Sequence, residues 1–529
     1  MSRSASRLRC AGILVPLFSL ASSKSWGIGE FADLPRMGAW LREAGQRVLL
    51  MLPLNEMPLD ETSPYSSLSA MALDPQFIAL EAVDDFKALG GEASLEPELR
   101  ARLDAARRAS SIDYANVRDL KQTALRRSFA RFLDAEWHAG TSRATALRTF
   151  IETQAWWLED YALFRALQVR YGKRVWHDWP DLIRTRHAAA IASARGELAE
   201  EVLYRQYVQW IAGEQWAAAR MAARDVMVFG DLPFAVGAES ADVWAGQDAF
   251  RLDRSIGVPP DAFSATGQDW RLPAYRWDVL ADRDFTLLRH RARRNANLFD
   301  GYRVDHLVGF FRMYTRAIGG GEGVFTPAEQ HEQQALGERI LRVFQSSGAE
   351  IIAEDLGVVP DFVRESLARL SIPGYRVFRW ERRWHDPGQP FKDPVDYPPA
   401  SVATSGTHDT EPLVVWWENA PIDERRAILE IPSLRQVFDA ADPGVIDSTT
   451  LSPDLRDALL ETLYASGSDL LVVPIQDVFG WRDRINQPAT IGAHNWTWKL
   501  PWRSDRLLEE RESADVAKKL RGWAVKHRR

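Results

Sequence analysis

Residues 301–306 read Gly-Tyr-Arg-Val-Asp-His. A short run of β-formers carries one guanidinium and ends on an acid, with polar residues close behind. That is the form of a buried parallel strand whose end reaches the rim of a sheet. Working outward from it, comparable runs recur at 12–17, 47–52 and 226–229, and again at 351–353, 375–378, 402–405 and 470–473. Polar or Gly/Pro-containing turns and helix-like segments follow most of them. Eight strands in such alternation predict an α/β fold, a (β/α)8 TIM barrel. Helices are predicted at 34–44, where Leu34, Met37, Leu41 and Ala44 share one stripe, and at 362–370.

The alternation breaks twice. The gap from 53 to 225 is far too long for one crossover. Its apolar residues fall at three-and-four spacing over 120–137, 146–171 and 199–223, which predicts a large, mostly helical insertion, 56–224, between strands two and three. A smaller insertion, 245–299, lies between strands three and four and holds the loop 258–277. With no linker, repeat or low-complexity tract, the chain reads as one catalytic barrel over 1–529 rather than several domains. The charged end after Pro501 reads as a helix that frays at 526–529.

Composition narrows the classes of function. At 46% hydrophobic and 26% charged residues, the chain can bury a large core. A net charge of −7 argues against nucleic acid as a partner. No stretch reaches the roughly 18 apolar residues of a membrane span. Arg3, Arg7 and Arg9 ahead of the apolar 11–21 imitate a secretory leader, but a strand and a polar loop fit the same letters. One cysteine, Cys10, rules out a disulfide scaffold and suits a reducing cytoplasm. The 21 tryptophans can stack on sugar rings or simply fill core. Arg291, Arg293 and Arg294 read as a solvated helix face. Metal, phosphate-loop and serine-elbow motifs are missing from the sequence, so no metal and no cofactor are expected.

In barrels of this kind chemistry gathers at the C-terminal strand ends. Those ends carry Asp231, Asp305, Glu354, and His408 with Asp409. Any one acid could be a helix or loop cap; several converging on one rim repel each other and need compensation. Arg303, two residues before Asp305 and so on the same side of its strand, is the candidate compensator. Glu354 follows the apolar Ile351-Ile352-Ala353, where desolvation raises a carboxyl toward general-acid duty. Two carboxyls in different environments, about 5–5.5 Å apart, make a retaining glycosidase pair.

Motifs in order along the chain give these residues a context. They include Gly27-Ile28-Gly29-Glu30-Phe31, Ser63-Pro64-Tyr65-Ser66, Gly230-Asp231-Leu232-Pro233-Phe234, Gly257-Val258-Pro259-Pro260-Asp261 and Gln268-Asp269-Trp270. Arg303-Val304-Asp305-His306, Ala353-Glu354-Asp355-Leu356-Gly357, Gly406-Thr407-His408-Asp409, Gln476-Asp477 and Arg484-Ile485-Asn486 follow. With them the sequence resembles the 4-α-glucanotransferases of the amylomaltase (disproportionating enzyme) family. The resemblance implies a retaining transferase with Asp305 as nucleophile, Glu354 as acid/base and Asp409 as the third, transition-state-stabilising carboxylate. It implies that Arg303, His306 and His408 bind the donor sugar, supported by Asp231 and Asn486, with Tyr65 stacking on it. Gln268 and Trp270 would lie on a loop arching over the acceptor side. The implied partners are an α-1,4-glucan donor and a maltodextrin or glucose acceptor, and the first apolar run becomes the first barrel strand. The alternatives are a hydrolase on the same scaffold and a non-catalytic glucan-binding barrel. Departures from the family pattern are Arg271 for a glycine, Asp74 for an asparagine, Thr410-Glu411 for Asn-Asp, and a diverged 313–330.

Overall fold

The computed structural model describes residues 9–172, 174–260, 267–439, 448–488, 490, 492 and 494–529. Arg3, Arg7 and Asp261 lie outside the described residues. Twelve strands are described: β1 (Cys10–Leu14), β2 (Val48–Leu50), β3 (Met227–Leu232), β4 (Phe250–Val258), β5 (Gln268–Tyr275), β6 (Gly301–Val304), β7 (Met313–Ala317), β8 (Val324–Thr326), β9 (Glu350–Ala353), β10 (Gly374–Val377), β11 (Ser401–Thr404) and β12 (Leu470–Pro474).

Eight of them close into a parallel barrel in the order β1-β12-β11-β10-β9-β6-β3-β2. The (β/α)8 barrel read from the sequence is the fold of the protein. Nearly every barrel residue is buried, because helices cover the outer face and side chains fill the inside. Strand bounds differ from the sequence reading by a residue or two. β1 stops at Leu14 because Pro16 leads into a 3-10 turn at Leu17–Ser19.

Register sets the site. Asp231 pairs with Arg303 across β3 and β6, and Arg303 with Ile352 across β6 and β9. Paired residues of parallel strands project to the same face, so Asp231 and Arg303 point together into the barrel. Gly230 is required beside them, since a Cβ there would lie 2.4 Å from the Phe299 ring.

Between β2 and β3 run the long helices Tyr114–Phe132, Ser142–Arg170 and Ala199–Ala222. Three expectations need correction. The described part of the stretch 258–277 is no plain loop: β5 pairs antiparallel with β4, and β4 pairs with β7, giving a second sheet in the order β5-β4-β7-β8. The diverged 313–330 supplies its two remaining strands. The arginines near 291 are no solvated face either. Arg291 is buried and donates to the Pro233 and Phe234 carbonyls and to the Tyr275 hydroxyl, Arg294 is buried on the Met71 carbonyl, and only Arg293 is exposed. The C-terminus does not fray, because the Arg529 guanidinium docks on the Tyr464 and Ser466 carbonyls.

Candidate active site

The site forms around one guanidinium at the C-terminal end of β6. Arg303 is buried, and burial alone would weaken its charge; Asp231 and Asp305 outweigh that and hold it firmly protonated. Its Nη1 donates to Asp231 Oδ2 at 2.6 Å, and its Nη2 lies 2.8 Å from Asp305 Oδ1 and 3.9 Å from Glu354 Oε2. Three acids from three adjacent strands thus share one cation, the compensation a rim of carboxylates requires.

The acids differ in surroundings. Burial pushes Glu354 up to about 7, with Asp305 adding to the rise and Arg303 opposing it. Its oxygens accept from the backbone N–H groups of His306 at 2.8 Å and Leu356 at 3.1 Å. Burial likewise raises Asp231 to about 6 against the pull of Arg303. Asp231 accepts from the Tyr65 hydroxyl at 2.6 Å. Asp409 is the contrast. Burial would raise it, but His408 next to it, the Asn486 amide and Arg303 together bring it to about 2. Asn486 Nδ2 donates to its Oδ1 at 2.6 Å, yet 43% of its side chain stays open to solvent.

Aromatic and imidazole rings wall the acids. Tyr65 stacks on His408 with centroids 5.4 Å apart and its hydroxyl is 3.0 Å from His408 Nε2. On the other side Trp270 meets His306 edge-on at 4.7 Å, and the Trp270 indole N–H donates to Gln268 Oε1 at 3.1 Å. Burial lowers His306 to about 4, so its ring is neutral near pH 7. His306 also holds φ +41°, a left-handed conformation fixed between Phe234 and the N–H it gives Glu354. Every residue the sequence singled out is therefore joined in one chain of contacts.

Two residues beside the site were not among the expected site residues, although Asn495-Trp496 fits the family pattern. Tyr375, on β10, places an unpartnered, buried hydroxyl in the field of Arg303, Asp231 and Glu354. A polar tip inside an apolar strand was its only signal. Trp496 packs on both Tyr65 and His408, at 5.7 and 5.8 Å. Arg271 is exposed, whereas its neighbour Trp270 is partly buried; both fall in a bulge of β5, whose Asp269 and Leu272 pair with the consecutive Gly257 and Ile256. Among the described residues no group of three or more His, Cys, Asp or Glu could hold a metal, and no helix is long and apolar enough to cross a membrane.

Three acids 2.6–3.9 Å from one cation, one of them Glu354 raised to about 7, and walled by aromatic rings suit acid/base and nucleophilic chemistry on a sugar acetal. Comparison with known proteins agrees. A family model described as 4-alpha-glucanotransferase matches residues 15–505. A 4-alpha-glucanotransferase of Thermus thermophilus is 33% identical over 512 residues, 93% of this chain and 95% of that one. One of Chlamydia pneumoniae is 30% identical over 524 residues, covering 97% and 94%. The amylomaltase of Streptococcus agalactiae, solved in complex with acarbose, superposes with a TM-score of 0.80 at 26% identity, covering 98% of this chain and 99% of that one.

Proposed function

The chain belongs to the 4-alpha-glucanotransferase family of retaining barrel enzymes, and from that premise we propose how its own residues divide the work. Asp305, ion-paired to Arg303, attacks the anomeric carbon of an α-1,4-linked donor. The C1–O4 bond breaks as Glu354 gives its proton to the departing oxygen. The product is a covalent β-glycosyl ester on Asp305, and Glu354 is left as a carboxylate. Glu354 then takes the proton from the 4-hydroxyl of an acceptor glucan, whose oxygen displaces Asp305 and restores the α-linkage. Asp409, ionised at any working pH, stabilises the positive charge of the oxocarbenium-like transition states.

One observation carries this reading. Arg303 Nη2 lies within 2.8 Å of Asp305 and 3.9 Å of Glu354 while Glu354 sits near 7. Sharing one nitrogen admits the ~5–5.5 Å of a retaining pair and leaves almost none of the ~6.5–9.5 Å range of an inverting one. Donor-side binding falls to Tyr65, Asp231, Arg303, His306, His408 and Asn486. In the same reading the helical stretch 56–224, which carries Tyr65, walls the donor side of the barrel. The stretch 245–299, with Gln268 and Trp270, is a lid over the acceptor side that disfavours water. The donor is an α-1,4-glucan, the acceptor a maltodextrin or glucose. A cytoplasmic place is part of the reading, supported by the free, buried Cys10.

Incubation with maltotriose, resolving products by chain length, tests it. Glucose with maltopentaose and longer chains is the expected result. Glucose and maltose alone would make water the acceptor and the lid ineffective.

A further inference from the structure

Behind Asp409 lies a second charge cluster that touches none of the other carboxylates at the cleavage point. Arg484 Nη2 donates to the Asp409 carbonyl at 2.8 Å, and its Nε to the Asn486 carbonyl at 3.2 Å. One planar group therefore ties the loop after β11 to the loop after β12. The two loops also meet directly, since the Asn486 N–H donates to the His408 carbonyl at 3.2 Å and its side chain to Asp409 Oδ1. With His408 Nε2 3.3 Å from its other oxygen, the Asp409 carboxylate takes its direction from where Asn486 and His408 stand.

The remaining nitrogen of Arg484, Nη1, faces Glu411 Oε2 at 3.6 Å. The other oxygen of Glu411 faces Nη1 of Arg379 at 3.2 Å, and the same nitrogen donates to the Glu411 carbonyl at 3.0 Å. Arg379 is itself fixed: buried, with Nε on the Ser405 carbonyl and its guanidinium over the Trp416 ring. Glu411 thus stands between two arginines whose charges oppose each other. Removing its charge leaves two guanidinium groups facing each other, and Arg484 is the half-exposed one that can swing away.

We propose that Glu411 is a positioning residue for transfer: by bridging Arg379 and Arg484 it locks the Arg484 clamp that aims Asn486 and the Asp409 carboxylate at the reacting sugar. This rests on Asp409 being the third carboxylate, as read above. Glu411 reaches no substrate in this arrangement, both its oxygens being turned to arginines. Its effect is on the alignment of a charge that matters in the transition state, so it belongs to kcat more than to KM.

The test is steady-state maltotriose disproportionation by Glu411→Gln, Arg484→Lys, the double variant and Asp409→Asn, with a thermal midpoint for each. For Glu411→Gln the expected result is a fall in kcat of roughly ten- to a hundredfold with KM within about twofold. Arg484→Lys loses a similar amount, and the double variant loses little more than either alone, since both break one clamp. Glu411→Asp, which keeps the charge, recovers part of the rate. Wild-type kcat in a folded Glu411→Gln, or fully additive losses, overturns the proposal. If Glu411→Gln loses its fold, Arg484→Lys and its combination with Glu411→Asp decide by the same criteria. Full activity in Asp409→Asn would instead overturn the role of Asp409, whatever Glu411 does.

Discussion

Two sheets meet over the site and hold it in different ways. The barrel is parallel and buried on both faces, and its register alone brings Asp231, Arg303 and the end of β9 together. The four-stranded sheet is antiparallel, with residues of β5 alternating between half-buried and exposed before it enters the core. On the barrel, a charged group is fixed by strand register and by a shared guanidinium. On the smaller sheet, Trp270 is held by packing on the apolar cluster beneath it, an edge contact with His306 and one hydrogen bond to Gln268. In the proposed mechanism the chemistry sits where geometry is over-determined, and the handling of the acceptor sits where the backbone has one open face. If that division is right, changes on the barrel abolish turnover and changes on the second sheet only redirect it.

The sharpest break would come from Asp305→Asn. Losing the attacking oxygen is expected to cost about 10⁴-fold or more in turnover, leaving maltodextrin binding within a few fold by calorimetry. Loss of binding and fold together would make the carboxylate structural and undo the contrast.

The pH profile probes the same sheet more gently. In the proposed mechanism Glu354 carries its proton to the departing oxygen, and burial raises it to about 7. Below 7 it is protonated; as pH rises through 7 it loses the proton, so kcat/KM for maltotriose should fall about tenfold per unit on the alkaline side. Asp409, at about 2, stays ionised across the whole range and adds no limb above pH 5. A profile flat to pH 9 would remove Glu354 from the acid's place.

Trp270→Ala belongs to the second sheet and should act on partition. Without the ring over His306, water reaches the intermediate more easily. We expect the hydrolysed share of products to rise roughly fivefold while maltotriose consumption falls less than tenfold. A loss as large as that of Asp305→Asn would mean that the lid takes part in the chemistry.

The sequence showed the two sheets unequally for the same reason. Each barrel strand is a short apolar run with a polar end, a local signal, so all eight were legible, as was Arg303 beside Asp305 by the period of two. β4 with β5, and β7 with β8, pair as hairpins, but the two hairpins meet only across the long separation from Gly257 to Tyr314; their strands carry polar residues on an open face, and Pro273 punctuates the pattern like a loop. Arg291 shows a different limit. Its charge suggested solvent, and its three partners, Pro233, Phe234 and Tyr275, come from elsewhere in the chain. Tyr375 had no local signal beyond its hydroxyl. The family resemblance placed Tyr65, His408 and Asn486, which no period or spacing would have brought together.

Arg271 gives the smallest effect and tests the contrast from within the second sheet. It departs from the glycine of the family pattern that the sequence resembles, and it holds φ +57°. That conformation costs a side-chain-bearing residue about 1–2 kcal/mol, which is why glycine suits the position. Its backbone N–H donates to Asp269 Oδ1 at 2.9 Å, a bond that glycine would keep. Arg271→Gly therefore relieves strain, and the greater freedom of glycine in the unfolded chain offsets about 0.5–1 kcal/mol of it. The net gain is about 0.5 kcal/mol, a rise of about 1 °C in the thermal midpoint of a chain this long. Because Arg271 is exposed, donor kinetics and the preference for glucose over maltotriose as acceptor should stay within about twofold. A shift in that preference beyond about fivefold would show that the guanidinium swings over the acceptor side, and that the open face of this sheet selects substrate as well as sheltering it.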